Sequence, residues 1–333
     1  SKHTIDAGIS YKYDLYNEHL DTLSLGRKES VPGIFAQYTY TDSAKMTVIA
    51  GIRSDFHNLH GTLITPRLHV RYVISPVFTL RASVGKGFRA GNVLAENAFL
   101  LASSRKMQIA DNLDIEEAWN AGMSLTASVP VSSKLIRFSG EVYRTSFVSQ
   151  IITDMDANVD EVRFYNLDGK SYSNVLQLEA SSTIFEGFDL LAAWRWNDVK
   201  MTIDGVLREK PLTSRYKGLL TASWLTHLRK WQYDYTLQLN GPGRVPSTAL
   251  NPEAYQRDDV FKPYVVMNAQ ITRNFRKWNI YIGAENLSNF MQHNPVIAAD
   301  DPFGEYFDSS LIWGPVHGRK IYVGFRIFFN RDV

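Results

Sequence analysis

The sequence predicts an all-β protein, an antiparallel transmembrane β-barrel of about fourteen strands. Three observations predict it. Segment after segment alternates apolar and mixed residues with a period of two, the signature of strands with one oily and one wet face. The connections between these segments sort by parity into short turns and long loops. No run of about 18 apolar residues occurs, which excludes a membrane-spanning helix and leaves spanning strands open.

The closing stretch sets the frame. Ile321, Val323, Phe325, Ile327 and Phe329 share one face, against Tyr322, Gly324, Arg326 and Phe328 on the other. With the short polar tail Asn330 to Val333 behind it, this strand is expected to end at the periplasmic rim.

Composition agrees. The chain has 333 residues, 44% of them hydrophobic and 13% aromatic, enough for two ordinary domains or one large β architecture. The net charge of +2 leaves no field to draw nucleic acid. The 17 Tyr, 18 Phe and 7 Trp suit the aromatic girdles of a lipid-facing band. The lack of cysteine excludes disulfides and thiolate metal sites. The N-terminus, Ser1 to Ile5, has no signal-peptide pattern and enters a strand at once, so the chain is expected to be a piece of something longer.

Taken in order, residues 4–15 alternate cleanly (Ile5, Ala7, Ile9, Tyr11, Tyr13, Leu15), and a polar stretch follows over 17–30. Strand two is expected near 32–41. Asp42 to Lys45 turn into strand three (Met46, Val48, Ala50, Ile52), and a short loop with His57 and His60 leads to strand four (Leu68 to Ile74). Ser75-Pro76 turn into strand five (Phe78 to Val84). A segment without alternation covers about 87–114. Strands six (Trp119 to Val129) and seven (Ile136 to Val142) flank the turn 130–134. After a loop around 150–170, strand eight holds Leu176, Leu178 and Ala180, and 184–187 turn into strand nine (Phe188 to Trp196). Strand ten runs from Tyr216 to Trp224. Strand eleven (Trp231, Tyr233, Tyr235, Leu237, Leu239) alternates most cleanly of all. A Gly-Pro loop from Gly241, strands at 262–274 and 277–286, and a loop over 290–313 precede the closing strand. Counted back from that strand, the connections alternate long and short, and only 57–62 is short where length is expected. A soluble sandwich or propeller does not sort its connections this way.

Four phrases carry a family resemblance. Gly85-Lys-Gly-Phe-Arg-Ala-Gly-Asn92, the phrase from Asn112 to Gly122, Ala284-Glu-Asn-Leu-Ser-Asn289 and Gly314-Pro-Val-His-Gly-Arg319 stand in the order found in TonB-dependent outer-membrane receptors, which the chain resembles. Gly91 departs from the family's usual proline, and residues follow Phe329 where the family's barrel normally stops. The resemblance implies a barrel of about 22 strands of which these are the last 14. It also implies a plug domain inside the barrel and a TonB-contacting segment, neither in this chain, with no resident cofactor. The implied function is capture of a metal chelate (ferric siderophore, haem or cobalamin) for TonB-energised import across the cell outer membrane. A passive channel of fourteen strands and a surface adhesin are the alternatives.

No enzyme signature is found. The phosphate-loop and dinucleotide patterns lack a strand-to-helix context, and adjacent Glu116 and Glu117 point to opposite faces of a strand. His57 and His60, read as a loop tip, have the chemistry to bind haem or copper, yet two solvated loop histidines are more often only that. His293 and His317 flank the last outer loop and are read the same way. Arg67, Arg71, Arg81, Arg137, Arg195 and Arg326 fall on the wet face, where water or plug carboxylates would satisfy them. Ligand contacts are expected in the outer loops, at Arg89, Arg105, Lys106, Arg163, Tyr165, Arg244, Tyr255, Tyr306 and Trp313. The same loops hold Asp111, Asp154, Asp156, Asp160, Asp300 and Asp301, so no net attraction follows.

Overall fold

The computed structural model describes residues 2–20, 23–43, 45–132 and 134–329. The chain opens with β1 (His3–Leu20), β2 (Leu23–Asp42), β3 (Met46–His57), β4 (Gly61–Val73) and β5 (Phe78–Arg89). A short helix, α1 (Val93–Glu96), and a 3-10 turn (Ala98–Leu101) follow. Next come β6 (Lys106–Ile109), β7 (Glu116–Val131), β8 (Lys134–Ser149), β9 (Ile151–Asp154) and β10 (Glu161–Asn166). After these stand β11 (Ser171–Phe185), β12 (Phe188–Ile203), β13 (Val206–Glu209), β14 (Tyr216–Leu225) and β15 (Trp231–Asn240). The chain finishes with β16 (Gly243–Arg244), a 3-10 turn (Glu253–Tyr255), β17 (Val260–Phe261), β18 (Tyr264–Asn274), β19 (Trp278–Glu285) and β20 (Lys320–Ile327).

One antiparallel sheet takes the order β1-β2-β3-β4-β5-β7-β8-β11-β12-β14-β15-β18-β19-β20, with β13 added to β12. These fourteen successive strands are the ones the period of two predicts. The sheet is open, with β1 at one end, β20 at the other, and no pairing between them among the described residues. The expected tail 330–333 lies outside the described residues. The chain separates into two compact units.

The first unit comprises Ser1–Leu125, Val142–Asn174 and Val199–Glu209. Its strands β1 to β5 pair in sequence, from His3↔Tyr40 at one hairpin to Val73↔Thr79 at another. Alternation gives them two unlike faces. Ile5, Ile9, Ile34, Ile52, Ile64 and Leu68 line one face and are exposed, Ile9 to 86%. Leaving such side chains in water forfeits about 2 kcal/mol each, which a hydrocarbon surround would recover. The opposite face carries Ser10, Lys12, Asp14, Glu29, Arg53, Asp55 and Arg67, in matching register.

Two expectations change here. The polar stretch 17–30 is strand over 17–20 and 23–30, the two arms of the β1–β2 hairpin, paired to Leu20↔Leu23. Alternation disappears there because the residues on both faces are largely polar. The segments 87–114 and 150–170, expected as plain loops, build a second sheet in which β10 runs parallel to β6 and antiparallel to β9. Asn92 caps α1 by accepting from the Ala95 amide at 3.0 Å. Ile152, Met201 and Ile203 form a buried cluster with Tyr165 and Leu167 packed on it.

The second unit comprises Thr126–Glu141, Val175–Asp198 and Lys210–Val333. Strands β14, β15, β18, β19 and β20 pair in order, β14 with β15 through a short turn at 226–230 and β18 with β19 through one at 275–277. Ile271, Ile280, Ile282, Val323 and Phe325 share the exposed apolar face, Phe325 being 68% exposed. A run of rings belts that face beside the short turns. Phe185 stacks on Phe188 at 4.8 Å, Trp224 on Tyr233 at 5.4 Å, and Phe275 on Trp278 at 4.0 Å. At the other end, β16 and β17 form a two-residue ladder, and Ile297 bridges Asp308.

Candidate functional site

Four of the expected ligand contacts meet on the loop sheet of the first unit. Arg105 is buried and its Nη1 donates to the carbonyls of Met155, Asn158 and Glu161 at 3.1–3.2 Å. That clamp holds the 155–161 turn shut. Lys106 is exposed on β6, in register with Glu161 of β10. Arg163 pairs with Glu161 at 3.0 Å. The Tyr165 hydroxyl donates to Asp154 at 3.3 Å and accepts from the Asp204 amide at 3.4 Å. Burial, with Asp154 beside it, pushes this phenol above its ordinary pKa, against the Asp204 amide bond, which favours the phenolate. Arg89, at the end of β5, donates Nε to Glu116 at 2.9 Å and pairs with Glu96 at 2.8 Å.

The wet face of the same unit holds a charged cluster that the sequence reading did not assemble. Glu29 and Asp55 are each 1% exposed and His57 4%. Arg53 grips Asp55 with two bonds of 2.5 and 2.6 Å and gives a third, of 2.7 Å, to Ser10 Oγ. Arg27 approaches Glu29 at 2.7 Å, stacks on Tyr16 at 4.4 Å and donates to the Gly91 carbonyl at 2.7 Å. Lys12 Nζ and His57 Nε2 each stand 3.8 Å from Glu29. His57 therefore corrects the loop-tip reading. It is the last residue of β3, buried, with Nδ1 accepting from the Leu59 amide at 3.2 Å. Lys12, Glu29, Arg53, Asp55 and His57 line a cavity of about 650 Å³ together with Arg67 and Arg89. A signal was present: Arg53, Asp55 and His57 alternate on one face, as do Arg27 and Glu29, but alternation of polar residues escapes a search for apolar periodicity. Arg67 donates to Gln37 at 2.6 Å on that face.

The other four expected contacts lie in the second unit. Trp313 stacks on Phe261 with centroids 4.9 Å apart and planes at 10°, while Tyr264 stacks on Phe290 at 4.7 Å and 8°. Backbone bonds fix this wall. Gln292 Oε1 accepts from the amides of Trp313 and Gly314 at 2.8 and 3.1 Å, and its Nε2 donates to Leu311 at 3.2 Å. The Tyr264 hydroxyl donates to the Trp313 carbonyl at 3.0 Å. Asn286 ties Phe290 to His317 with bonds of 2.7 and 2.9 Å. Phe261, Phe290 and Trp313, with Arg257, Lys262 and His293, line a cavity of about 480 Å³. Tyr255 packs on Tyr306 at 5.5 Å, and Arg244 pairs with Val260 in the short ladder. An aromatic wall edged by cations can hold a flat or anionic molecule by stacking and charge. Among the described residues no group of three or more His, Asp or Glu is placed to hold a metal ion.

The family model for the TonB dependent receptor-like β-barrel matches residues 3–287. No curated protein sequence matches the chain. Among solved structures, a variant of the ferric enterobactin receptor of Pseudomonas aeruginosa is 14% identical with a TM-score of 0.71, covering 97% of this chain and 51% of that one. The siderophore receptor PirA of Acinetobacter baumannii is 14% identical with a TM-score of 0.68, over 97% of this chain and 52% of its own. The FrpB iron transporter of Neisseria meningitidis is 12% identical with a TM-score of 0.64, over 97% and 52%. The chain thus spans about half the length of the structures it resembles.

Proposed function

Because this chain belongs to the TonB-dependent receptor family, we propose that it supplies the last fourteen strands of an outer-membrane barrel of about 22, whose outer loops capture a ferric siderophore for TonB-energised import. The free edges of β1 and β20 support the strand count. A bilayer leaves no edge N–H or C=O without a partner, and on this reading further strands cover both edges. On this reading the plug domain and the TonB-contacting segment come from parts of the protein outside residues 1–333. The exposed apolar face meets outer-membrane lipid, and the charged face with Glu29, Asp55 and His57 meets the interior.

The observation that carries the ligand reading is the aromatic-walled cavity of the second unit. Its volume of about 480 Å³ sits within the range of about 300–1,000 Å³ usual for small-molecule sites. Its rings suit the flat catecholate or heteroaromatic arms of a siderophore, and Arg257 and Lys262 suit the negative charge of a ferric chelate. Haem and cobalamin share the flatness but need less positive charge. Arg89, Lys106, Arg163, Arg244, Tyr255 and Tyr306 are proposed as further contacts, while Arg105 and Tyr165 act by shaping the loop sheet.

The test is uptake of a radiolabelled ferric catecholate by iron-starved cells carrying the intact receptor. Uptake is expected to require TonB, and Trp313→Ala is expected to weaken binding about tenfold, the worth of one lost aromatic stack. Uptake that persists without TonB would instead mark a passive channel. Unchanged binding in both Trp313→Ala and Arg257→Gln would place the ligand elsewhere.

A further inference from the structure

Arg273 is a full charge on the wrong face. It pairs in register with Trp231 on β15 and Ile280 on β19, and both of these residues belong to the exposed apolar face. Its guanidinium lies 4.8 Å over the Trp231 ring and 5.5 Å over the Phe275 ring. Among the described residues no carboxylate forms an ion pair with it. A cation facing hydrocarbon is costly at the midplane and tolerated only near an interface, where anionic headgroups offer a partner.

The two neighbouring turns add to this charge. The β14–β15 turn carries Arg229 and Lys230, and the β18–β19 turn carries Arg276 and Lys277, all exposed. Asn274 joins the turns, its amide donating to the Lys230 carbonyl at 2.7 Å and its Nδ2 to the Arg229 carbonyl at 3.2 Å. Neither turn contains an acidic residue. In the adjoining β11–β12 turn Glu186 stands 3.7 Å from His227. Five cations are therefore gathered beside a belt of stacked rings, Arg273 on the apolar face itself and four in the turns at its edge.

From this juxtaposition we infer that Arg273, with Arg229, Lys230, Arg276 and Lys277, forms a binding site for the headgroup of an anionic phospholipid at the short-turn rim. The inference rests on the membrane-spanning reading above, which puts short turns at the periplasmic leaflet. The planar fork of Arg273 matches two oxygens of a phosphodiester, and its two flanking rings fix the fork in place. The turn cations supply the longer-ranged attraction that selects a charged lipid over a zwitterionic one.

The experiment is native mass spectrometry of the intact receptor released from detergent with phosphatidylglycerol or phosphatidylcholine. Phosphatidylglycerol is expected to be retained about fivefold better, the worth of one cation at a membrane surface. Arg273→Gln should abolish that preference and Arg273→Lys should keep part of it. Excess inorganic phosphate should leave the lipid bound. Equal retention of the two lipids would overturn the site, as would displacement by phosphate alone. Should Arg273→Gln fail to fold, judged by loss of heat-modifiable migration, the quadruple exchange of the turn cations to Gln carries the same expectation. Quenching of tryptophan fluorescence by brominated lipid separates the two readings. Quenching without lipid preference defeats this site alone, and no quenching defeats the membrane-spanning reading beneath it.

Discussion

Two carboxylates of the first unit differ in what they hold up. Asp55 is buried and receives both prongs of the Arg53 guanidinium, so its charge is matched by geometry as well as distance. Removing that charge strands a cation on a crowded face. Asp55→Asn should lower the stability of the refolded intact receptor by about 2 kcal/mol, read from its urea midpoint. Asp14 pairs with Lys12 at 2.7 Å, but the lysine is mostly exposed. Water competes for such a pair, so Asp14→Asn should shift the midpoint by less than about 1 kcal/mol. Equal losses in the two variants would show that burial does not set the worth of these bonds. The buried member of this cluster with the clearest consequence for reading the sequence is His57. Its type alone suggests a loop ligand, and only the reach of β3 as far as His57 shows a buried side chain.

At the scale of the element, the pair β19–β20 shows how a strand tolerates bulk on its wet face. Gly283 lies opposite Tyr322, and Gly324 opposite Tyr281, so each ring covers the glycine across from it. A β-carbon on Gly283 would clash with the hydroxyl end of the Tyr322 ring. That ring is anchored by its hydroxyl, which donates to Gln270 at 3.0 Å. Gly283→Val should therefore cost about 1–3 kcal/mol of overpacking, measured as a lowered urea midpoint. An unchanged midpoint would mean that Tyr322 moves aside freely. Such details escape a sequence reading, while the wall strands do not. The strands with an oily face announce themselves through every second residue, as Trp231 to Leu239 and Ile321 to Ile327 do. Strands without an oily face give no such sign. The upper arms of β1 and β2 are polar on both sides, β6, β9, β10 and β13 are four to six residues long, and β16 and β17 only two. Their pairing is set by partners distant in the chain, as Lys106 with Glu161 shows. The candidate site followed the same division. Trp313 and Tyr255 could be picked by residue type in a long loop, but Gln292, which pins the aromatic wall, carries no mark in its own neighbourhood.

For the molecule as a whole, the open sheet makes a sharp demand. In the intact protein, strands outside residues 1–333 should cover the edges of β1 and β20. Residues 1–333 contain no cysteine, so paired substitutions there are compared with the receptor that carries neither. Val323→Cys combined with Ile5→Cys, Ile9→Cys or Leu15→Cys should give no disulfide in the folded receptor, read by gel mobility under oxidising conditions. A disulfide in any of the three would mean that fourteen strands close on themselves. The sequential order of the sheet also has a kinetic meaning. Nearly every wall strand meets its neighbour in the chain, so the sheet can zip from one hairpin to the next with little search. The cost is uneven, because joining β5 to β7 closes a loop over residues 90–115, whereas β18 and β19 are joined by only three residues. Assembly should therefore advance in bursts separated by pauses at the long outer loops. Those pauses fall where the residues proposed to meet ligand are found, so the segments proposed to capture it also set the tempo at which the wall is built.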